Sequence, residues 1–197
     1  MNDVIILGQK KYKENVIAEK VKVAGHGCFL KGLQAANAYV SGVFTVGGKT
    51  SINHLKNRGH FKSRELEAFT VDSKGFMKID GHAAVNEQFF SKGVLTIGGM
   101  LCARNISIKS GALSKRGWGR RSKCYQVKGD TIEMEAVAAD SVEGNVVRIG
   151  ARCVVGELRY GEHCEVHPTS IVKKVTKAGG NPWLNLNNVR HYGKRVE

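Results

Sequence analysis

The residues of this chain best equipped for chemistry are its thiols and a cationic run around one tryptophan. Cys28, Cys102, Cys124, Cys153 and Cys164 are potential metal ligands or disulfide partners, but no two stand as Cys-x-x-Cys. Zinc knuckles and dithiol redox sites use that short spacing to bring two sulfurs to one centre. An odd count with no secretory signal ahead of it is expected of reduced thiols in the cytoplasm, most of them small core or corner residues. No metal, cofactor or catalytic centre is expected. The run Ser114-Lys-Arg-Gly-Trp-Gly-Arg-Arg-Ser-Lys-Cys124 has a different character. Lys115, Arg116, Arg120, Arg121 and Lys123 can grip phosphates while Trp118 stacks on a base or sits at a lipid interface. The plainer reading is a solvated corner whose tryptophan folds back on the protein wall. Phosphate-cradle, nucleophile-elbow and zinc-protease signatures are absent from the sequence.

The elements that must carry these residues are announced by a repeat. From Val146 to Val172, Ile149, Val155, Tyr160, Val166 and Val172 fall near one register at steps of about six, and Gly150, Gly156 and Gly161 each follow a register residue. Such spacing marks a coiling β-solenoid, in which a short strand points a side chain inward and a glycine turns the corner. A looser form of the unit recurs in Val21-Lys-Val-Ala-Gly25, Phe44-Thr-Val-Gly-Gly48, Phe76-Met-Lys-Ile-Asp-Gly81, Leu95-Thr-Ile-Gly-Gly99 and Tyr125-Gln-Val-Lys-Gly129. Gly25, Gly42 and Gly59 are 17 apart, and Gly93, Gly111 and Gly129 are 18 apart. Three short strands per coil would give that period. The reading is an all-β parallel β-helix with about 17–18 residues per coil. About nine coils at ~4.8 Å would make a rod of roughly 40 Å.

Composition agrees. Glycine is abundant (24) and proline scarce (2), as continuous strand ladders with many corners require. Residues 1–20 read as a basic leader, 21–175 as the β-helix with a basic loop at 114–124 interrupting it, and 176–197 as a C-terminal tail or cap. Ser63-Arg-Glu-Leu-Glu-Ala68 has helical propensity, but its place in the repeat predicts a strand. Val4-Ile-Ile-Leu7 is too short to span a bilayer. It reads as a first strand or cap, or as a membrane-touching foot that many copies would strengthen by avidity. The net charge of +14 points to anionic partners: nucleic acid, anionic lipid or an acidic polymer.

The glycine-punctuated coils resemble the bactofilins, polymer-forming cytoskeletal proteins of bacteria. The resemblance spans roughly Val21 to Val175, and its most telling portion is Gly129-Asp-Thr-Ile-Glu-Met-Glu135, Gly144-Asn-Val-Val-Arg-Ile-Gly150 and Glu157-Leu-Arg-Tyr160, in the order of the longer Firmicutes type. It implies a right-handed β-helix of triangular section and nucleotide-independent polymerisation through the solenoid ends. It also implies a cytoplasmic scaffold, peripheral at the inner membrane face, that serves cell shape, wall synthesis or motility. The strong basicity and the Lys115–Lys123 run depart from the family pattern. Physics supports the end contacts, because each end of a solenoid exposes unpaired strand edges and contacts that do not close on themselves make filaments. The expected end layers are Val21 and Val23 at one end and Val166, Ile171 and Val172 at the other.

Two rivals remain. Residues 149–172 also resemble the hexapeptide-repeat acyltransferases, left-handed β-helices that use a histidine as general base. That resemblance makes His163, His167 or His82 the candidates, although none has a recognisable acidic partner in the sequence. A basic nucleic-acid-binding solenoid is the other, supported by charge but by no known motif.

Overall fold

The computed structural model describes residues 3–111 and 122–178. Among them there is no helix. The strands are β1 (Val4–Ile6), β2 (Gln9–Tyr12), β3 (Val16–Val23), β4 (His26–Phe29), β5 (Leu33–Val40), β6 (Val43–Asn57), β7 (His60–Ser73), β8 (Phe76–Ile79), β9 (Ala83–Ser110), β10 (Ser122–Met134), β11 (Val137–Ile149), β12 (Val154–Val166) and β13 (Ile171–Lys177). Every strand pairing is parallel. The chain is a parallel β-solenoid, and Ser63–Ala68 is strand within β7, as its repeat position predicts.

Each coil contributes a segment to three ladders. Face A begins with Val4–Ile6, face B with Gln9–Tyr12 and face C with Val16–Ala18. One inward column of face A runs Val4, Val21, Ala38, Leu55, Val71 and Phe89, and resumes as Ile106, Ile132, Val147 and Cys164. That makes ten coils rather than about nine. The added coil is the supposed leader. Val4, Ile6, Tyr12, Val16 and Ala18 stand one full coil ahead of Val21, Val23, Phe29, Leu33 and Ala35 and pair with them in register. Residues 4–20 are therefore solenoid, strands joined at bends with no helix over Tyr12–Lys20, and the final strand continues to Lys177.

The interior alternates with the strand period. Phe29, Phe44 and Phe61 are buried and meet edge to face at centroid separations of 5.2 and 5.5 Å, one ring per coil. The second inward column of face A, which begins Ile6, Val23 and Val40, turns polar in mid-rod, where Asn57, Ser73 and Ser91 stack in register, all buried. Asn57 Nδ2 donates to Ser73 Oγ (2.9 Å) and to the Phe76 carbonyl (3.0 Å), and its Oδ1 accepts from the Gly59 N–H (3.1 Å). Ser91 Oγ lacks a hydrogen-bond partner. Here coil length also changes. Leu55 pairs with Val71 rather than Asp72, and Val71 pairs with Phe89 rather than Gln88, so a shortened coil is followed by a lengthened one.

The corner between faces A and B is a column of glycine: Gly8, Gly25, Gly42, Gly59, Gly75, Gly93 and Gly111. A Cβ on Gly25, Gly42, Gly59, Gly75 or Gly93 would sit 2.0–2.2 Å from the carbonyl oxygen of the glycine one coil before. Close backbone approach, rather than unusual dihedrals, fixes glycine there. Further along, the same corner is turned by Ala136 (φ 55°) and Arg152 (φ 61°), non-glycine residues in the left-handed region.

Candidate functional site

Two surfaces are built from strand register: the ends of the rod and the outer side of face A. At the N-terminal end, β1 and β2 and the start of β3 form the outermost layer, with Val4, Tyr12 and Val16 partly buried against the core. Val21 and Val23, expected in this end layer, lie one coil deeper. They are fully buried because β1 covers them. At the other end, Val166 is 41% and Ile171 61% exposed, while Val172 is half-buried and packs against the core. All three belong to the last coil, beside the exposed Val175.

The basic run follows Gly111 in sequence. Ile106 pairs with Ile132, well beyond one coil's length along the chain. Lys115, Arg116, Trp118, Arg120 and Arg121 lie outside the described residues. Lys123 is on face B, exposed, in register with Thr96 and Ala138.

The histidines proposed as bases are dispersed. His82 Nδ1 accepts from the Met100 N–H (2.9 Å), satisfying a corner. His167 Nδ1 lies 2.9 Å from Thr169 Oγ1 at the last corner. His163 does have an acidic neighbour, Glu165, at 2.8 Å. The residues stand two apart on one strand, hence on one side of it, a proximity that strand spacing signals once the strand is known. His163 and then Arg148 hold the Glu165 carboxyl below its usual range. The pair is exposed on both sides. All five cysteines are free. Burial raises the thiols of Cys102, Cys153 and Cys164 and pushes Cys124 up to about 12. Among the described residues no three His, Cys, Asp or Glu side chains gather as a metal site would need. No helix there is long and apolar enough to cross a membrane.

Sequence reading missed the outer column of face A. Ile5, Lys22, Tyr39 and Lys56 are stacked in register, alternating apolar and cationic, coil after coil. Ile5 and Leu7 are 59% and 78% exposed and Tyr39 is 41% exposed. Lys20 Nζ lies 5.6 Å from the Tyr39 ring centroid. The constant offset of the glycines was a signal that could have lined these residues up. Charge is also unevenly placed along the rod. Residues 3–111 carry sixteen Lys and Arg against eight Asp and Glu, a net +8, whereas residues 122–178 carry eight of each.

No protein-family model, no curated protein and no solved structure matches this chain.

Proposed function

We propose that the chain is a non-enzymatic, nucleotide-independent scaffold that assembles with itself end to end through its solenoid ends. The observation that carries this reading is the state of both terminal coils. Among the described residues, β1, β2 and the start of β3 leave one edge unpaired, and β13 with the end of β12 leaves another. Each edge frames apolar side chains: Val4, Tyr12 and Val16 at one end, and Val166, Ile171, Val172 and Val175 at the other. Joining ends would continue the ladders and bury those side chains. The resemblance to the bactofilins supports the same reading and adds its setting, a bacterial cytoskeletal filament at the inner membrane face serving cell shape, wall synthesis or motility.

Negative-stain electron microscopy of the purified chain without nucleotide tests it. Thin filaments are expected, and Val4→Asp with Val16→Asp, or Val166→Asp with Val172→Asp, should reduce them to discrete particles. Filaments that survive both pairs of substitutions would overturn end stacking through these residues. Discrete trimers of the unaltered chain would favour the acyltransferase reading, for which the His163–Glu165 pair is the feature to pursue.

A further inference from the structure

We propose that the corner where face C turns into face A, late in the rod, binds a calcium-sized divalent cation between the stacked oxygens of Asp130 and Asn145, with Glu162 at its rim. Gly129 pairs with Gly144 and Thr131 with Val146, so Asp130 and Asn145 stand one above the other at this corner. Asn145 is only 7% exposed, and its Oδ1 is buried without a hydrogen-bond partner. Oδ1 of the half-buried Asp130 is likewise buried and unpartnered. Leaving two neighbouring acceptors unsatisfied is costly, and an electropositive centre between them removes that cost. In the next coil the register shifts. Gly144 pairs with Tyr160 and Val146 with His163, so Gly161 and Glu162 together face Asn145. This bulge brings the exposed Glu162 to the same corner.

The donor set selects the kind of ion. Two carboxylates and an amide offer only oxygen, which suits a hard cation, and the amide stands where a cluster of three acids would have its third member. Strand spacing selects its size. Stacked residues of adjacent coils are ~4.8 Å apart, so a cation midway between their oxygens has bonds of about 2.4 Å. That length lies within the range of roughly 2.3–2.6 Å for calcium and is too long for magnesium, which holds oxygen at about 2.0–2.1 Å. Arg104, stacked one coil before Asp130, is engaged elsewhere. Ala103 pairs with Gly129 and Asn105 with Thr131, but the Arg104 Nη1 donates to Glu87 Oε2 (3.2 Å), one coil further back. The ion would therefore tie together coils whose ladder is interrupted at Asn145. With only two charged ligands, its affinity belongs at the weak end of protein calcium sites, with a Kd of about 0.1–1 mM. The site lies within one chain and does not rest on end-to-end assembly.

The test is calorimetric titration of the full chain with calcium chloride, joined to thermal melts followed by circular dichroism at constant ionic strength. Calcium at about tenfold its Kd should raise the melting temperature by about 3–6 °C. Magnesium at the same concentration should raise it by less than about 1 °C. Asp130→Asn should weaken calcium binding at least about tenfold, and Glu162→Gln about threefold. Both replacements keep the shape of the side chain, and melts without calcium check that each variant folds. Glu165→Gln, exposed on face A of the same coil as Glu162, should change the affinity less than about twofold. Asn145→Asp discriminates most sharply. Beside a cation the added charge should tighten binding several-fold. If instead the Asn145 Nδ2 served only to donate to Asp130, the change would set two carboxylates against each other and gain no ion. No calcium-dependent heat or melting shift, an equal response to magnesium, unchanged binding in Asp130→Asn, or no tightening in Asn145→Asp would each overturn the proposal. Electron microscopy of the calcium-free chain reads assembly separately, so filaments without calcium binding, or calcium binding without filaments, tell the two readings apart.

Discussion

Placing a methyl group on Gly42 is the sharpest perturbation of the coil corner. The new Cβ would lie 2.0 Å from Gly25 O and 2.4 Å from Ala24 O, both backbone atoms of the previous coil. No rotamer change relieves that overlap, so the corner must retreat by about 1 Å, since overpacked sites yield only by moving backbone. That retreat pulls on the bonds that stitch these coils together: Val43 N–H to Gly25 O (2.9 Å), Ser41 N–H to Val23 O (2.8 Å) and Gly42 N–H to Val23 O (3.0 Å). Losing one or two of them costs about 1 kcal/mol each, and overpacking adds about 1–3 kcal/mol. Gly42→Ala should therefore destabilise the chain by about 2–5 kcal/mol. Gly8→Ala is the matched control: it tops the same column, and a Cβ there meets nothing within 4 Å. Urea unfolding followed by circular dichroism gives the difference in midpoint. Amide exchange of residues 24–43 reads it locally, which matters because a solenoid opens coil by coil. If Gly42→Ala lost no more stability than Gly8→Ala, close approach would not be what keeps glycine in this column.

The polar stretch of the interior should divide sharply under mutation. Asn57→Ala removes three hydrogen bonds and strands Ser73, and is expected to cost about 2–3 kcal/mol in denaturant melts. Ser91→Ala removes a buried hydroxyl that has no partner and should stay within about 0.5 kcal/mol of the unaltered chain or exceed it. The Cys124 thiol, pushed up to about 12 from 9.0 by burial, keeps its proton in the folded chain after the unfolded chain has lost it. The folded state then binds more protons, so stability should fall as pH rises from about 9 to about 12. Cys124→Ala should flatten that decline, measured as melting temperature against pH.

The fold was legible because its determinants are local and periodic. A glycine at each corner and apolar residues at alternate strand positions recur in residues 21–175, and the ladders follow from them. The first coil was read only in part: Val4–Leu7 reads as a first strand or cap and β1 is that strand, but the rest of the coil is interleaved with Lys10, Lys11, Lys13 and Lys20, whose charge reads as a leader until Val4 and Ile6 are set against Val21 and Val23. That misreading carried over to the end layer, since a covered coil and an end coil have the same alternation. The face A column was hidden for a related reason. Ile5, Lys22, Tyr39 and Lys56 are each separated by a full coil of chain, and no short window of sequence sets two of them side by side. The His163–Glu165 pair was closer to hand and was overlooked because its strand had been read through the apolar positions alone.

The uneven charge bears directly on how ends can meet. Any contact between two N-terminal ends sets two segments of net +8 (residues 3–111) against each other, whereas two C-terminal ends bring together residues 122–197, of net +2 each. Repulsion between exposed charges fades beyond a Debye length, which shrinks from ~30 Å at 0.01 M salt to ~8 Å at 0.15 M. The N-terminal coils lie within tens of ångströms of such a contact at ~4.8 Å per coil, so low salt leaves their repulsion largely intact. A chain blocked at its C-terminal end by Val166→Asp and Val172→Asp can join only through its N-terminal end. Its dimerisation, followed by sedimentation velocity, should strengthen as salt is raised. The reciprocal variant, Val4→Asp with Val16→Asp, should dimerise with a weaker dependence on salt, since +2 rather than +8 is set against its copy. N-terminal contacts that weakened with salt would mean that specific ion pairs across the joint, such as Lys13 or Lys20 with Glu14 or Glu19 of the facing chain, outweigh the net charge of the coils behind them.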